Sequence, residues 1–334
     1  MIEAQKEIEM IPRITIPDDF PPVVSGSAAE QGIRSLGELE IFCRKAETEG
    51  ELIERLKESE VVIGTRAFTL FTRRILSCCP RLRLISILGT GTDNVDLKAA
   101  AELGMTVTNT PGANALAVAE HAVALMFSVV RRVPLLDREV RSGHWPRVDM
   151  VQLSGKVMGL LGLGAIGRHV ARMTRGLGME TIAWTRHPSP ERAGECGVRL
   201  VSREELLENS DVLSLHLRLN DETRGFIRRE DFDRMKPSAF LVNTARAALV
   251  EPGALVEALR AEKIAGAALD VFDREPLPAE DPLATMPNVV LTAHCGALTP
   301  EATHNSLAMA IQNVSRFLEG KQIDPARLVV MGNR

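Results

Sequence analysis

No apolar run in the chain reaches the roughly 18 residues that a membrane-spanning helix needs, and the N-terminal MIEAQKEIEMIPR is acidic and lacks a signal-peptide pattern. A helical membrane protein is thereby excluded, and the expected compartment is cytoplasmic. Positive charge is not in excess either: the formal net charge of -4 argues against nucleic acid as a main partner. Cysteine is sparse. Cys43, Cys78, Cys79, Cys196 and Cys295 are odd in number and carry no metal-ligand spacing, so reduced thiols and no metal site are expected. The adjacent Cys78 and Cys79 read as helix-end residues. Internal repeats and low-complexity segments are missing as well.

What is present is an ordinary globular composition, 45% hydrophobic and 25% charged, over 334 residues. That length is long for one core and comfortable for two domains, which implies a cleft. Apolar β-rich runs alternate with helical patterns almost from end to end, the signature of βαβ units and parallel sheets. In the first part, strands are predicted at Val61–Gly64, Leu84–Leu88 and Thr106–Asn109, with helices at Glu51–Glu58 and Leu97–Leu103. The turn Asn109-Thr110-Pro111-Gly112 marks a boundary before a long helix-favouring stretch, Ala113–Arg132. From Gly155 the alternation restarts, with strands predicted at Val157–Leu161, Val212–Leu217, Ala239–Asn243, Gly266–Val271 and Asn288–Thr292. Ser202 and Glu205 form a candidate capping box for a helix at Arg203–Glu208. A last helix is predicted at Glu301–Leu318, followed by a short tail.

Gly162-Leu163-Gly164-Ala165-Ile166-Gly167 matches GxGxxG between a buried strand and an amphipathic helix, Arg168–Arg175. The first glycine allows a tight turn, the second lets backbone approach a pyrophosphate, and the third allows close helix packing, with the helix N-terminus facing the phosphates. A dinucleotide site is expected there. An NAD-specific site normally places Asp or Glu about 20 residues past the glycine loop. Here Thr185 stands 23 positions after Gly162, with Arg186 next. The carboxylate that would repel a 2'-phosphate is missing, and Arg186 offers that phosphate a charge-assisted hydrogen bond. NADP is therefore favoured over NAD, with Arg218 as a further cation in reach. A solvated Arg186 and a site accepting both cofactors is the plainer alternative.

Ligands of doubly wound sheets sit beyond the carboxyl ends of the strands. Arg246 follows the strand FLVN, Asp270 and Glu275 follow GAAL, and His294 follows VVLT. Separations of 29 and 19 residues thus collapse into one crevice. Taken singly, each has a structural reading: His294 as a packed histidine, Arg246 as a surface ion pair, Glu275 as part of a proline turn. Together they suit hydride chemistry at a carbinol carbon. A histidine takes or gives the hydroxyl proton, a carboxylate orients the ring and favours its protonated form, and an arginine grips a carboxylate with a planar fork.

With these motifs in order, the sequence resembles the D-isomer-specific 2-hydroxyacid dehydrogenase family over about residues 60–320. The likeness rests on LGTGTDNVDL (88–97), NTPGANALAVAE (109–120), GLGAIG (162–167), VNTAR (242–246), ALDVFDREPLP (268–278) and TAHCG (292–296). It implies an α/β fold of two doubly wound parallel-sheet domains, a Rossmann nucleotide domain (113–298) inserted into a discontinuous flavodoxin-like substrate domain (1–112 and 299–334), and a homodimer. It implies Arg246 for substrate binding, Glu275 as partner of the histidine and His294 as acid/base. Asp270 is assigned to the nicotinamide amide, and Gly89, Thr90 and Gly91 to a backbone cradle for the substrate carboxylate. Leu217, Thr223, Thr244 and Ala245 join Gly162, Gly164, Ala165, Ile166, Gly167, Thr185 and Arg186 as expected cofactor contacts. The implied partner is a small 2-hydroxyacid or 2-oxoacid, with NAD(P) as cofactor. Departures are Ala247 for a usual glycine, Ala293 for a proline, Cys295 for an aliphatic residue and Arg218 for a frequent proline. A dinucleotide-sensing corepressor-like protein and a formate dehydrogenase are the competing readings. The first lacks an evident partner-binding extension, and the second typically has glutamine at the position of Glu275.

Overall fold

A computed structural model describes residues 11–66 and 68–333. The first ten residues of the acidic N-terminal stretch therefore lie outside the described range. Thirteen strands are described: β1 (Arg13–Ile16), β2 (Glu38–Ile41), β3 (Val61–Gly64), β4 (Leu84–Ile87), β5 (Thr106–Thr108), β6 (Val157–Leu161), β7 (Glu180–Trp184), β8 (Arg199–Leu200), β9 (Val212–Leu215), β10 (Phe240–Asn243), β11 (Gly266–Leu269), β12 (Val289–Leu291) and β13 (Leu328–Val330). Twelve α-helices alternate with them: α1 (Ala28–Arg34), α2 (Glu49–Leu56), α3 (Arg73–Ser77), α4 (Leu97–Glu102), α5 (Ala115–Val130), α6 (Val133–Arg141), α7 (Ala165–Gly176), α8 (Pro190–Cys196), α9 (Arg203–Asn209), α10 (Ala254–Arg260), α11 (Pro282–Thr285) and α12 (Pro300–Leu318). They form two compact units, one built from the chain up to Asn114 and again from Thr303, the other from Ala115–Ala302.

The first unit has the sheet order β2-β1-β3-β4-β5-β13, the flavodoxin-type arrangement. Its strands are parallel except β13, which runs antiparallel to β5. The sequence reading missed β1 and β2, which are four residues each: β1 runs into the proline-rich IPDDFPP turn, and β2 returns parallel to it after α1. It also took the segment after Leu318 for a plain tail, whereas Leu328 and Val330 pair with Thr108 and Val107. The second unit has the order β12-β11-β10-β9-β6-β7-β8, all parallel, the Rossmann order extended by one strand.

Period two explains how strands buried on both faces serve two helix layers. In the first unit Val61 and Ile63 join a core with Ile33, Leu307 and Val314, while Val62 faces the opposite one with Leu56, Ile75 and Ala99. In the second, Met158 and Leu160 pack with α5 and α7, and Leu161, Leu213 and Leu215 pack with Leu206 and Leu259 from α9 and α10. The expected capping box is half made. Ser202 Oγ accepts from the Glu205 N–H at 3.0 Å, but the Glu205 carboxylate turns to Arg199 instead of back to the helix start. Among the described residues no helix is long and apolar enough to cross a membrane.

Candidate active site

The glycine loop opens where β6 ends. Gly162 has φ +108°, and a Cβ there would lie 2.8 Å from the His216 carbonyl oxygen, so only glycine fits the turn. At Gly167 a Cβ would meet the Gly162 oxygen at 2.3 Å, which is the close helix–strand approach expected of the third glycine. In front of Gly164 there is open space: nothing lies within 4 Å of its built Cβ. Gly164 is also the N-cap of α7 and offers no side-chain cap. The first N–H groups of the helix, at Ala165 and Ile166, are thus presented to that space. Around the same loop, the buried Arg168 Nε and His216 Nδ1 have no partner, nor does the buried Thr244 Oγ1 past the end of β10. Open volume, exposed N–H groups and orphaned polar atoms together fit a dinucleotide pyrophosphate.

Sequence reasoning missed His216, which closes this loop and whose ring bonds Ser214 Oγ at 2.9 Å. Burial drives its pKa down to about 4, so the ring is neutral. Its only sequence signal was a polar residue at the end of the apolar strand VLSL.

At the end of β7, Thr185 is half-buried and Arg186 exposed. The Arg186 guanidinium is bound to the Glu222 carboxylate in an ion pair that the sequence did not reveal. Leu217 packs against the apolar core at the end of β9, and Ala245 does so after β10. The Thr223 hydroxyl is committed to its own turn, accepting from Asn220 N at 2.8 Å and donating to the Arg218 carbonyl at 2.7 Å. It shapes the loop that carries Glu222.

Beyond β10, β11 and β12 the three expected groups emerge from neighbouring strand ends. Asn243, buried at the end of β10, braces the turn: its amide donates to the Arg246 carbonyl at 2.9 Å and its oxygen accepts from Ala245 N at 3.0 Å. Arg246 is half-buried. Glu275 is held by the Phe272 N–H on Oε1 at 3.0 Å, and its Oε2 lies 2.8 Å from His294 Nδ1. His294 has φ +51°, a left-handed conformation uncommon outside glycine. Burial pushes the Glu275 carboxyl up, but the hydrogen bonds from His294 and Phe272 and the charges of His294 and Arg246 outweigh it, leaving it below its usual value. An ionised carboxylate only accepts, so Nδ1 carries hydrogen and Nε2 is the ring atom left to exchange a proton.

Asp270 is buried beside this pair. Oδ1 accepts from Thr292 Oγ1 at 2.7 Å and Cys295 N at 2.9 Å, and Oδ2 accepts from Gly296 N at 3.0 Å. His121 on α5, a second residue missed from the sequence, bonds Thr292 Oγ1 through Nε2 at 2.9 Å. Its partner lies 171 positions away, and nothing local to HAVALMF announces it.

In the first unit, Gly89, Thr90 and Gly91 follow β4. Gly89 has φ +99° and its N–H donates to Thr110 Oγ1 at 2.7 Å. That bond occupies one donor of the expected cradle. Asn109 fixes the next residue by donating to the Thr90 carbonyl at 2.8 Å.

Residues 123–296 match the family model described as "D-isomer specific 2-hydroxyacid dehydrogenase, NAD binding domain". The glyoxylate reductase of Aeropyrum pernix is 42% identical over 283 residues, 81% of this chain and 83% of that protein. The D-3-phosphoglycerate dehydrogenase of Archaeoglobus fulgidus is 37% identical over 284 residues, 84% of this chain but only 54% of that longer protein. Among solved structures, a glyoxylate reductase from Paecilomyes thermophila superposes with a TM-score of 0.85 at 31% identity, covering 96% of this chain and 98% of that one.

Proposed function

This chain belongs to the D-isomer-specific 2-hydroxyacid dehydrogenase family, and on that premise we propose that it interconverts a D-2-hydroxyacid and its 2-oxoacid using a nicotinamide dinucleotide. The observation that carries the reading is the 2.8 Å contact between Glu275 Oε2 and His294 Nδ1. It leaves Nε2 as the proton-transferring atom and supplies the negative charge that stabilises the protonated ring.

When bound, the nicotinamide cofactor would supply or accept the hydride. The chain's own residues do the rest. Gly162, Gly164 and Gly167 with the N–H groups of Ala165 and Ile166 hold the pyrophosphate, Leu217, Thr244 and Ala245 wall the site, and Thr223 fixes the loop beside it. Asp270 positions the carboxamide with its remaining acceptor capacity. Arg246 binds the substrate carboxylate and polarises the carbonyl oxygen, work that a planar fork of donors does better than a point charge. Gly89, Thr90 and Gly91 are assigned to the carboxylate cradle, with the N–H groups of Thr90 and Gly91 as its donors.

Three finer points belong to the same reading. NADP is favoured over NAD because Thr185 and Arg186 stand where a carboxylate would reject a 2'-phosphate, with Arg186 having to loosen its ion pair with Glu222 to bind it. The homodimer finds support in the exposed apolar side chains Val133, Val140, Trp145 and Met150, which lie on α6 and the segment after it. The compartment is taken as cytoplasmic.

A panel of 2-oxoacids offered with NADH and with NADPH, followed by chiral analysis of the product, tests the proposal. Reduction of at least one 2-oxoacid to the D-hydroxyacid is expected. Absence of turnover across the panel by protein that binds the cofactor would overturn it.

A further inference from the structure

His121 takes no part in the proposed proton transfer, nor does the side chain of Cys295. Both nevertheless converge with Asp270 on one point. His121 comes from the middle of α5, Asp270 from the end of β11, and Cys295 from the turn after β12, so three separate elements deliver one donor atom each. His121 Nε2 lies 3.4 Å from Asp270 Oδ1, Cys295 Sγ lies 3.7 Å from the same oxygen, and Sγ and Nε2 are 4.0 Å apart.

We propose that His121, Asp270 and Cys295 form a binding site for a thiophilic divalent cation of the zinc class. Tetrahedral zinc with Zn–N and Zn–O near 2.0 Å and Zn–S near 2.3 Å sets its donors about 3.3 Å (N to O) and about 3.5 Å (S to O and S to N) apart. The observed triangle is wider by about 0.1 Å on the N–O edge, about 0.2 Å on the S–O edge and about 0.5 Å on the S–N edge, so the Cys295 thiol closes on His121 by about half an ångström to bind. One imidazole, one thiol and one carboxylate form a soft, mixed set that suits zinc and suits magnesium or calcium poorly, since those ions take oxygen ligands.

The surroundings support the donors. The Asp270 carboxylate is held by the N–H groups of Cys295 and Gly296 and by the Thr292 hydroxyl, the kind of outer hydrogen bonding that orients a ligating carboxylate. The Asp270 side chain is 3% exposed, but that of His121 is 21% exposed, which gives an ion an approach. Thr292 Oγ1 now lies 2.9 Å from His121 Nε2 and 2.7 Å from Asp270 Oδ1, so His121 gives up its bond to Thr292 when an ion enters. The five cysteines could not suggest such a site along the sequence, because its ligands lie 149 and 25 positions apart.

Occupation would have a consequence that rests on the dehydrogenase reading. Cys295 neighbours His294, and Asp270 is the residue assigned to the nicotinamide carboxamide, so a bound cation inhibits turnover. Binding itself does not depend on that reading.

The test uses the full chain without cofactor. Zn²⁺ is titrated in competition with a chromophoric chelator, and Co²⁺ is added separately to look for a thiolate-to-cobalt charge-transfer band. One Zn²⁺ per chain and a clear band are expected. Cys295→Ser should abolish the band and weaken Zn²⁺ by more than about a hundredfold, the upper end of what loss of a mere supporting residue costs. His121→Gln should weaken Zn²⁺ at least about tenfold while keeping the band. Thermal melting of each variant verifies folding, and the wild-type band stands whether or not a variant folds. No Zn²⁺ uptake, no band, or equal affinity in wild type and both folded variants overturns the site. Zn²⁺ should also inhibit 2-oxoacid reduction by wild type and spare Cys295→Ser. Binding at the site without inhibition overturns the inhibitory consequence, and a chain with no reductase activity fails the functional reading without touching the metal titration.

Discussion

Replacing Glu222 by glutamine should sharpen the cofactor preference. Arg186 is paired with Glu222, and the two side chains are 37% and 65% exposed. A pair so open to water contributes about 0.2–1 kcal/mol. A 2'-phosphate can take the guanidinium only by loosening that pair, and it then meets the Glu222 carboxylate nearby. Removing the carboxylate therefore tightens NADPH by at most about 1 kcal/mol, or about fivefold, and leaves NADH within about twofold. The complementary change, Arg186→Ala, loses a hydrogen bond to a charged group worth about 1.5–3 kcal/mol, less what the broken pair had already contributed. The net is about 0.5–3 kcal/mol, so NADPH binds about twofold to about 150-fold more weakly while NADH scarcely changes. Dissociation constants of both cofactors for wild type and the two variants decide the matter, at one fixed ionic strength because exposed charges are screened. Equal changes for both cofactors, weaker NADPH binding in Glu222→Gln, or a wild-type preference for NADH would refute the argument.

Arg246→Lys should raise the KM for the 2-oxoacid and lower kcat/KM, since an ammonium cannot reproduce a bidentate fork; unchanged steady-state constants would remove Arg246 from the site. Glu275→Gln takes away the ionised partner that holds hydrogen on His294 Nδ1, so kcat should fall at least about tenfold and the acid limb of the pH–rate profile set by Glu275, whose carboxyl is held against burial below its usual value by its hydrogen bonds, should disappear. A profile that stays in place would make Glu275 structural. Asp18 gives a stability test. Burial lifts its pKa from 3.8 to about 7 against the opposing influence of Arg66, Thr65 and Arg55. The folded chain thus holds a proton that the unfolded chain has released between about pH 4 and pH 7, and stability must fall as pH rises through that window. The ceiling on that fall is about 4 kcal/mol, from roughly three pKa units at 1.36 kcal/mol each. Calorimetry at pH 5 and pH 8 should show the loss in wild type and not in Asp18→Asn; parallel behaviour of the two proteins would contradict it.

The parts of the site legible in the sequence are those that a parallel sheet organises by itself. Once GAAL, FLVN and VVLT are read as neighbouring strands, Arg246, Glu275 and His294 must emerge at one edge, whatever their separation along the chain. The glycine loop is legible for a different reason, because its three constraints fall within six residues. What stayed hidden depends on side chains reaching across the fold. His121 finds Thr292 from a helix whose sequence reads as core, Arg186 finds Glu222 through a loop, and the Thr223 hydroxyl turns inward to its own turn. RITI was missed because a proline-rich turn follows it at once, and ELEI because its alternation is only Leu39 and Ile41 on an edge strand. The strand β13 was missed because pairing with β5, not local pattern, makes it a strand.

The most direct test of the account is His294→Gln, assayed for reduction of the preferred 2-oxoacid and, separately, for cofactor affinity. With Nε2 moving the proton, kcat should fall by at least about a hundredfold, the low end for loss of a general acid/base, while the cofactor dissociation constant holds. Turnover near the wild-type rate would make His294 a packing residue and contradict the mechanism.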